Sequence, residues 1–98
     1  MINNEKFYSK YLKEKFIKEG FDEFNESEVV ELMLSIASPT INIKRSAENL
    51  FNKFGSFDSI VDAPLIEILK VPGIKSNAAL LLKSPKNFSS YYSKNKKN

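Results

Sequence analysis

Apolar residues recur along this chain at spacings of three and four, and no five-residue stretch alternates cleanly enough for a half-buried strand. The pattern predicts an all-α fold, a small domain of about five to seven short helices. A first helix is expected from about Glu5 to Lys18, with Tyr8, Leu12 and Phe16 on one stripe and Gly20 closing it. Asn25, followed three residues later by Glu28, has the form of a capping box. It opens a second helix carrying Val29, Val30, Leu32, Met33 and Ile36, which Ser38-Pro39 ends. A third helix begins near Asn42 and sets Ile43, Ala47, Leu50, Phe51 and Phe54 on one face until Gly55 stops it, the clearest amphipathic pattern in the chain. Ser56 caps a short connector that turns Phe57, Ile60 and Val61 inward, and Pro64 suits the first turn of another short helix through Leu69. Ser84-Pro85 repeats a cap-plus-proline start, so a last short helix is expected to carry Phe88, Tyr91 and Tyr92, with residues 94–98 disordered.

The stretch from Val71 to Leu82 is the most specific. Pro72 presets φ at the first central position of a tight turn, and Gly73 supplies the positive φ that a type II turn needs at the second. Two helices then meet at a fixed angle, with Val71 and Ile74 filling the space beneath the turn and Ala79 allowing close approach. The N–H groups of Ile74, Lys75 and Ser76 are expected to face outward at the positive end of the following helix, a ready phosphate site. A looser copy of the same unit runs from Lys44 to Ala47, without glycines. Lys44 and Arg45 there either mirror Lys75 as charge contacts or lie on a solvated helix face.

Composition narrows the chemistry. With no Cys and no His among its 98 residues, the chain has no disulfide, no thiolate metal site and none of the commonest general base. No catalytic residue, metal ligand or cofactor is expected, and the acidic cluster Asp22, Glu23, Glu26, Glu28 and Glu31 is explained by capping and an exposed helix face. The net charge of +3 is unevenly spread: residues 1–38 carry five Lys against eight acids, and residues 39–98 carry ten basic residues against four acids. No apolar run approaches a membrane span and no signal-peptide core opens the chain, so a cytoplasmic protein is expected.

Several segments together are similar to one family. Lys13-Glu14-Lys15-Phe16-Ile17-Lys18-Glu19-Gly20 resembles the Arg-Glu-Lys-Leu-Leu-x-x-Gly opening of RadC-type DNA-repair proteins, and Phe24 to Val30 resembles their Leu-Ser-Asp-x-Glu-Leu-Leu. Ala47 to Phe57 looks like their Leu-Ala-x-x-Leu-Leu-x-x-Phe-Gly-x-Leu segment, and the hairpin follows in order. The resemblance implies the amino-terminal tandem helix-hairpin-helix domain of that family over residues 1–88, with 89–98 as a basic, flexible tail. Family members normally continue into a metalloprotease-like JAB domain with a His-x-His motif. These residues contain no His, and no zinc or peptidase role carries over. Lys75 departs from the family, standing where a second hairpin glycine usually exposes bare backbone; it either obstructs the phosphate or replaces amide contacts with a charge contact.

The reading that follows is a non-enzymatic, sequence-nonspecific DNA-binding domain related to DNA repair. Its candidate contacts are Gly73, Ile74, Lys75, Ser76 and Asn77, joined by Lys44 and Arg45, and DNA is expected to bind weakly. The alternative is an interaction module that uses a degenerate hairpin to hold a protein partner or a second copy, motivated by Leu65, Ile66 and the tyrosines.

Overall fold

The structure, a computed structural model, describes residues 4–38 and 41–96. Six helices follow one another: α1 (Asn4–Glu19), α2 (Glu26–Ala37), α3 (Ile43–Phe54), α4 (Phe57–Asp62), α5 (Leu65–Leu69) and α6 (Ser76–Lys96). No strand occurs among the described residues.

Local chemistry sets most of the boundaries. Asn25 Oδ1 accepts from Glu28 N (2.8 Å) while the Glu28 carboxylate accepts from Asn25 N (3.1 Å), a complete capping box at the start of α2. Ser56 Oγ accepts from Ser59 N (3.1 Å) to open α4, and the Glu26 carboxylate accepts from Phe57 N (2.6 Å), tying α2 to the same helix start. Two members of the acidic cluster, Glu26 and Glu28, cap helix starts as expected, but Glu31, expected on an exposed helix face, is buried and accepts from Tyr8. Pro39, which was expected to end α2, lies outside the described residues.

The core forms where α2, α3, α4, α5 and α6 meet. Val30, Leu34, Ile43, Leu50, Ile60, Ile68, Ala79 and Leu82 are fully buried there. Each large aliphatic side chain so buried contributes roughly 1.5–3 kcal/mol relative to exposure. The expected α3 stripe is the inward one, with Ile43, Ala47 and Leu50 buried and Phe51 and Phe54 packed against the cluster. On α2 the inward set differs by a fraction of a turn: Leu34 is buried and Ile36 is 56% exposed.

Helix α6 is the main departure. The Ser84-Pro85 pair does not start a new helix but sits inside a single 21-residue one. Pro85 lacks an N–H, which withdraws the usual donor from the carbonyl four residues earlier. That carbonyl, Leu81 O, instead accepts from Ser84 Oγ (2.6 Å). The helix continues through Lys96, taking in residues 94–96 that were expected to be disordered; Lys97 and Asn98 lie outside the described residues. Two lysines of this region are structural: Lys83 Nζ donates to the carbonyls of Val61 and Ala63 at the end of α4, and Lys86 pairs with Asp62 (3.1 Å).

α1 packs on α2 through Leu12, which is fully buried, and through two polar contacts. Lys15 pairs with Glu28 (3.2 Å), and the Tyr8 hydroxyl donates to the buried Glu31 carboxylate, which Ser27 Oγ also reaches (3.2 Å). Burial, and then the facing Glu31 carboxylate, hold the Tyr8 hydroxyl well above the ordinary tyrosine range. A folded-state pKa raised above the unfolded one gives a contribution that is complete below about pH 10 and is lost as pH rises through the folded value. Wild-type protein is therefore expected to lose thermal stability above about pH 10 more steeply than Tyr8→Phe. Melting curves of the two proteins on an alkaline series check this, and parallel curves would remove Tyr8 from the alkaline limb.

Candidate nucleic-acid interface

The turn between α5 and α6 has the conformation its sequence demands. Ile74 N donates to Val71 O (3.1 Å), closing the turn, and Gly73 stands at φ +90°. Gly73 is required for a second reason: a Cβ at this position would lie 2.6 Å from Ser46 Oγ on α3. Asn49, one turn further along α3, donates through Nδ2 to Pro72 O (3.3 Å). The turn is thus braced from beneath by α3. Ile74 is buried at 4% exposure and leaves the expected donor set, because its N–H is consumed inside the turn.

Beyond the turn, Ala79 N donates to Lys75 O (2.9 Å), the first i to i+4 bond of α6, which places Lys75 at the cap position. Lysine has no side-chain acceptor to offer. The N–H groups of Lys75, Ser76 and Asn77 consequently find no acceptor among the described residues, and all three residues are exposed. The corresponding start of α3 is different. Asn42 Oδ1 accepts from Arg45 N (3.1 Å) and Asn42 O from Ser46 N (2.9 Å), so that helix end is closed by its own cap. The first unit is closed where the second is open.

Arg45, Lys75 and Gly73 line one cleft of about 410 Å³ together with Asn42, Ser46, Asn49 and Pro72. Among the described residues neither Arg45 nor Lys75 pairs with an acid. The cleft therefore combines two unopposed cations with the open start of α6 at Lys75 and four short polar side chains, Ser38, Asn42, Ser46 and Asn49, while Ser76 is not among the residues that line it. Lys44 is not part of it. Its ammonium lies 4.1 Å from the Tyr8 ring centroid and 3.9 Å from the Glu31 carboxylate, on the α1–α2 side, where it steadies the packing of α1. One residue of helical rotation, about 100°, separates the two neighbours. Asn77 also turns away, lining a groove with Ile36 and Leu80.

Asn42, Ser46 and Asn49 were not singled out from the sequence. With Arg45 they form a polar stripe spaced by three and four residues along α3, beside the apolar stripe that was recognised. That stripe was the available signal. Among the described residues no group of acids is placed to hold a metal ion, and no helix is long and apolar enough to cross a membrane.

Fold and cleft define a small all-α domain with a basic depression at a glycine turn, beside the open start of a helix. No protein-family model matches the chain, and no solved structure matches it. It is 35% identical over 72 residues to a UPF0758 protein of Fusobacterium nucleatum, a match covering 74% of this chain and 31% of that protein. It is 31% identical over 67 residues to a UPF0758 protein of Clostridium botulinum, covering 68% of this chain and 29% of the relative. A UPF0758 protein of Rhodobacter capsulatus is 33% identical over 63 residues, 64% of this chain and 29% of its own length. The chain is thus related to the UPF0758 proteins of the RadC family, and the match spans about three-tenths of the length of these curated relatives.

Proposed function

We propose that this chain is a helix-hairpin-helix domain of the RadC type that binds DNA without sequence preference, as part of a DNA-repair function. The observation that carries the reading is the convergence of Arg45 and Lys75 on the cleft beside Gly73, next to a helix start that no side chain closes. A phosphate seated there takes hydrogen bonds from the Lys75 and Ser76 amides and charge from both side chains, while the positive end of α6 adds to the attraction. No catalytic group is needed for this. The position of Lys75 on the cleft wall favours the charge-contact role over obstruction. The first unit, closed by Asn42, serves to brace the turn.

Two to four neutralised phosphates give dissociation constants of about 10⁻⁴ to 10⁻⁶ M and a log–log salt slope of about −2 to −4. Fluorescence anisotropy of a labelled duplex at low and moderate salt measures both. Lys75→Glu is expected to weaken binding about tenfold, equivalent to about 1.4 kcal/mol, while leaving the melting curve in place. Unchanged affinity in that folded variant would remove the hairpin from the mechanism. Lys75→Gly decides the role of the side chain: weaker binding marks a charge contact, and tighter binding marks an obstruction and overturns that assignment.

A further inference from the structure

The exposed end of α6 has no role in the phosphate cleft. From Lys86 to Asn95 every residue of this helix is exposed, with Phe88 at 71% and Tyr91 at 67%. Asn77, Leu81, Ser84, Phe88, Tyr91 and Asn95 follow one another at alternating spacings of four and three, the seam spacing of paired helices. These six residues line two depressions that share Phe88. One is a groove of about 420 Å³ between α2 and α6, with Ile36 and Ala37 on its far wall; the other, of about 440 Å³, lies beside Tyr91 and Asn95.

The seam is complementary to itself when reversed. A second α6 laid antiparallel, centred on Lys86, sets Asn77 against Asn95, Leu81 against Tyr91 and Ser84 against Phe88. Amide meets amide, aliphatic meets aromatic, and a small residue stands opposite a large one. No charge lies on the seam, and the lysines beside it are held elsewhere: Lys83 on the α4 carbonyls and Lys86 on Asp62. In this register Lys94 arrives near the partner's carboxyl end of α2, whose last turn carries no basic residue to offset its carbonyls.

Area agrees with this pairing. The exposed parts of Ile36, Leu80, Phe88, Tyr91 and Tyr92 amount to roughly 600 Å² per chain, so a two-fold contact that covers all five reaches about 1,200 Å², the lower end of stable interfaces. We infer that this domain pairs with a second copy of itself through an antiparallel, two-fold α6–α6 contact, the aromatic end of each helix seating in the α2–α6 groove of the other. The contact is separate from the Arg45–Lys75 cleft and does not rest on DNA binding.

The chain contains no Cys, so cross-linking reads the register directly. Asn77→Cys and Asn95→Cys both alter exposed positions. An equimolar mixture of the two variants is expected to form a disulfide-linked pair under mild oxidation, since the antiparallel register brings these positions within bonding reach. Each variant alone is expected to stay unlinked, because its own copies lie about 27 Å apart along the helix axis. Light scattering is expected to give a dimer mass for the wild type and a monomer mass for Phe88→Lys with unchanged helical circular dichroism. A monomeric wild type, absence of the mixed cross-link, or equal linking of either variant with itself each overturns the proposal.

Discussion

Gly73→Ala is expected to destabilise the domain by roughly 2–3 kcal/mol, lowering the melting temperature by about 10–20 °C. Two separate costs contribute. At φ +90° an L side chain is strained by about 1–2 kcal/mol, and the new methyl must also displace Ser46 Oγ from 2.6 Å. Ser46 is 3% exposed, so its hydroxyl has little room to yield. A smaller opposing effect comes from the unfolded chain, where Ala has fewer states to lose than Gly, worth about 0.4–1 kcal/mol. Gly55 is the internal control, because it stands at φ +92° with nothing within 4 Å of the position its Cβ would take. Gly55→Ala therefore carries the conformational cost alone. Adding Ser46→Ala to Gly73→Ala is expected to recover the contact part and bring the double variant near the Gly55 value. If Gly73→Ala proves no worse than Gly55→Ala in thermal melts, α3 does not press on the turn as described.

Leu82→Ala is expected to cost about 3–4 kcal/mol, a large share of the roughly 5–15 kcal/mol available to a domain of this size. Leu82 is fully buried in the common core, and α6 packs on α2, α4 and α5. Truncation leaves a cavity that three neighbouring helices must collapse around, and short helices such as α4 and α5 depend on that packing rather than on their own hydrogen bonds. Urea unfolding is the appropriate measurement: the midpoint falls while the slope m stays constant. Ile66, 65% exposed, supplies the contrast, with Ile66→Ala expected within about 0.5 kcal/mol of wild type. A Leu82→Ala loss below about 1 kcal/mol would be incompatible with the packing of α6.

The two predictions concern the same structural relation from opposite sides. Leu82 holds α6 in the core, and Gly73 allows α3 to approach the turn from which α6 departs. The cleft beside Gly73 exists only where both conditions are met. Its cations come from separate elements, Arg45 from α3 and Lys75 from the start of α6. Neither residue is remarkable by itself, since a lysine at a helix start is disfavoured by the dipole by about 0.3–1 kcal/mol unless an anion is near. The DNA titration tests the proposed phosphate contact independently of the helix-pairing experiment.

Local signals in the sequence determined the all-α class, the caps at Asn25 and Ser56, the opening of α3 near Asn42, the α3 core stripe, and the positive φ at Gly73. Each depends on interactions within a few residues, where side-chain acceptors, ring constraints and helical periodicity act without knowledge of the fold. Tertiary structure decided the rest. Arg45 enters the cleft while Lys44 crosses to Tyr8 and Glu31, because a rotation of one residue on α3 faces different neighbours. Ile74 loses its expected donor role to the turn, and Pro85 remains inside α6 because Ser84 Oγ reaches the carbonyl that proline leaves unpaired, while packing on α2, α4 and α5 holds the helix on course. Ser46 and Asn49 join the site across more than twenty residues of sequence. Such contacts follow from how helices cross, and crossing is set by the packing of the whole core, which no local window of the chain contains.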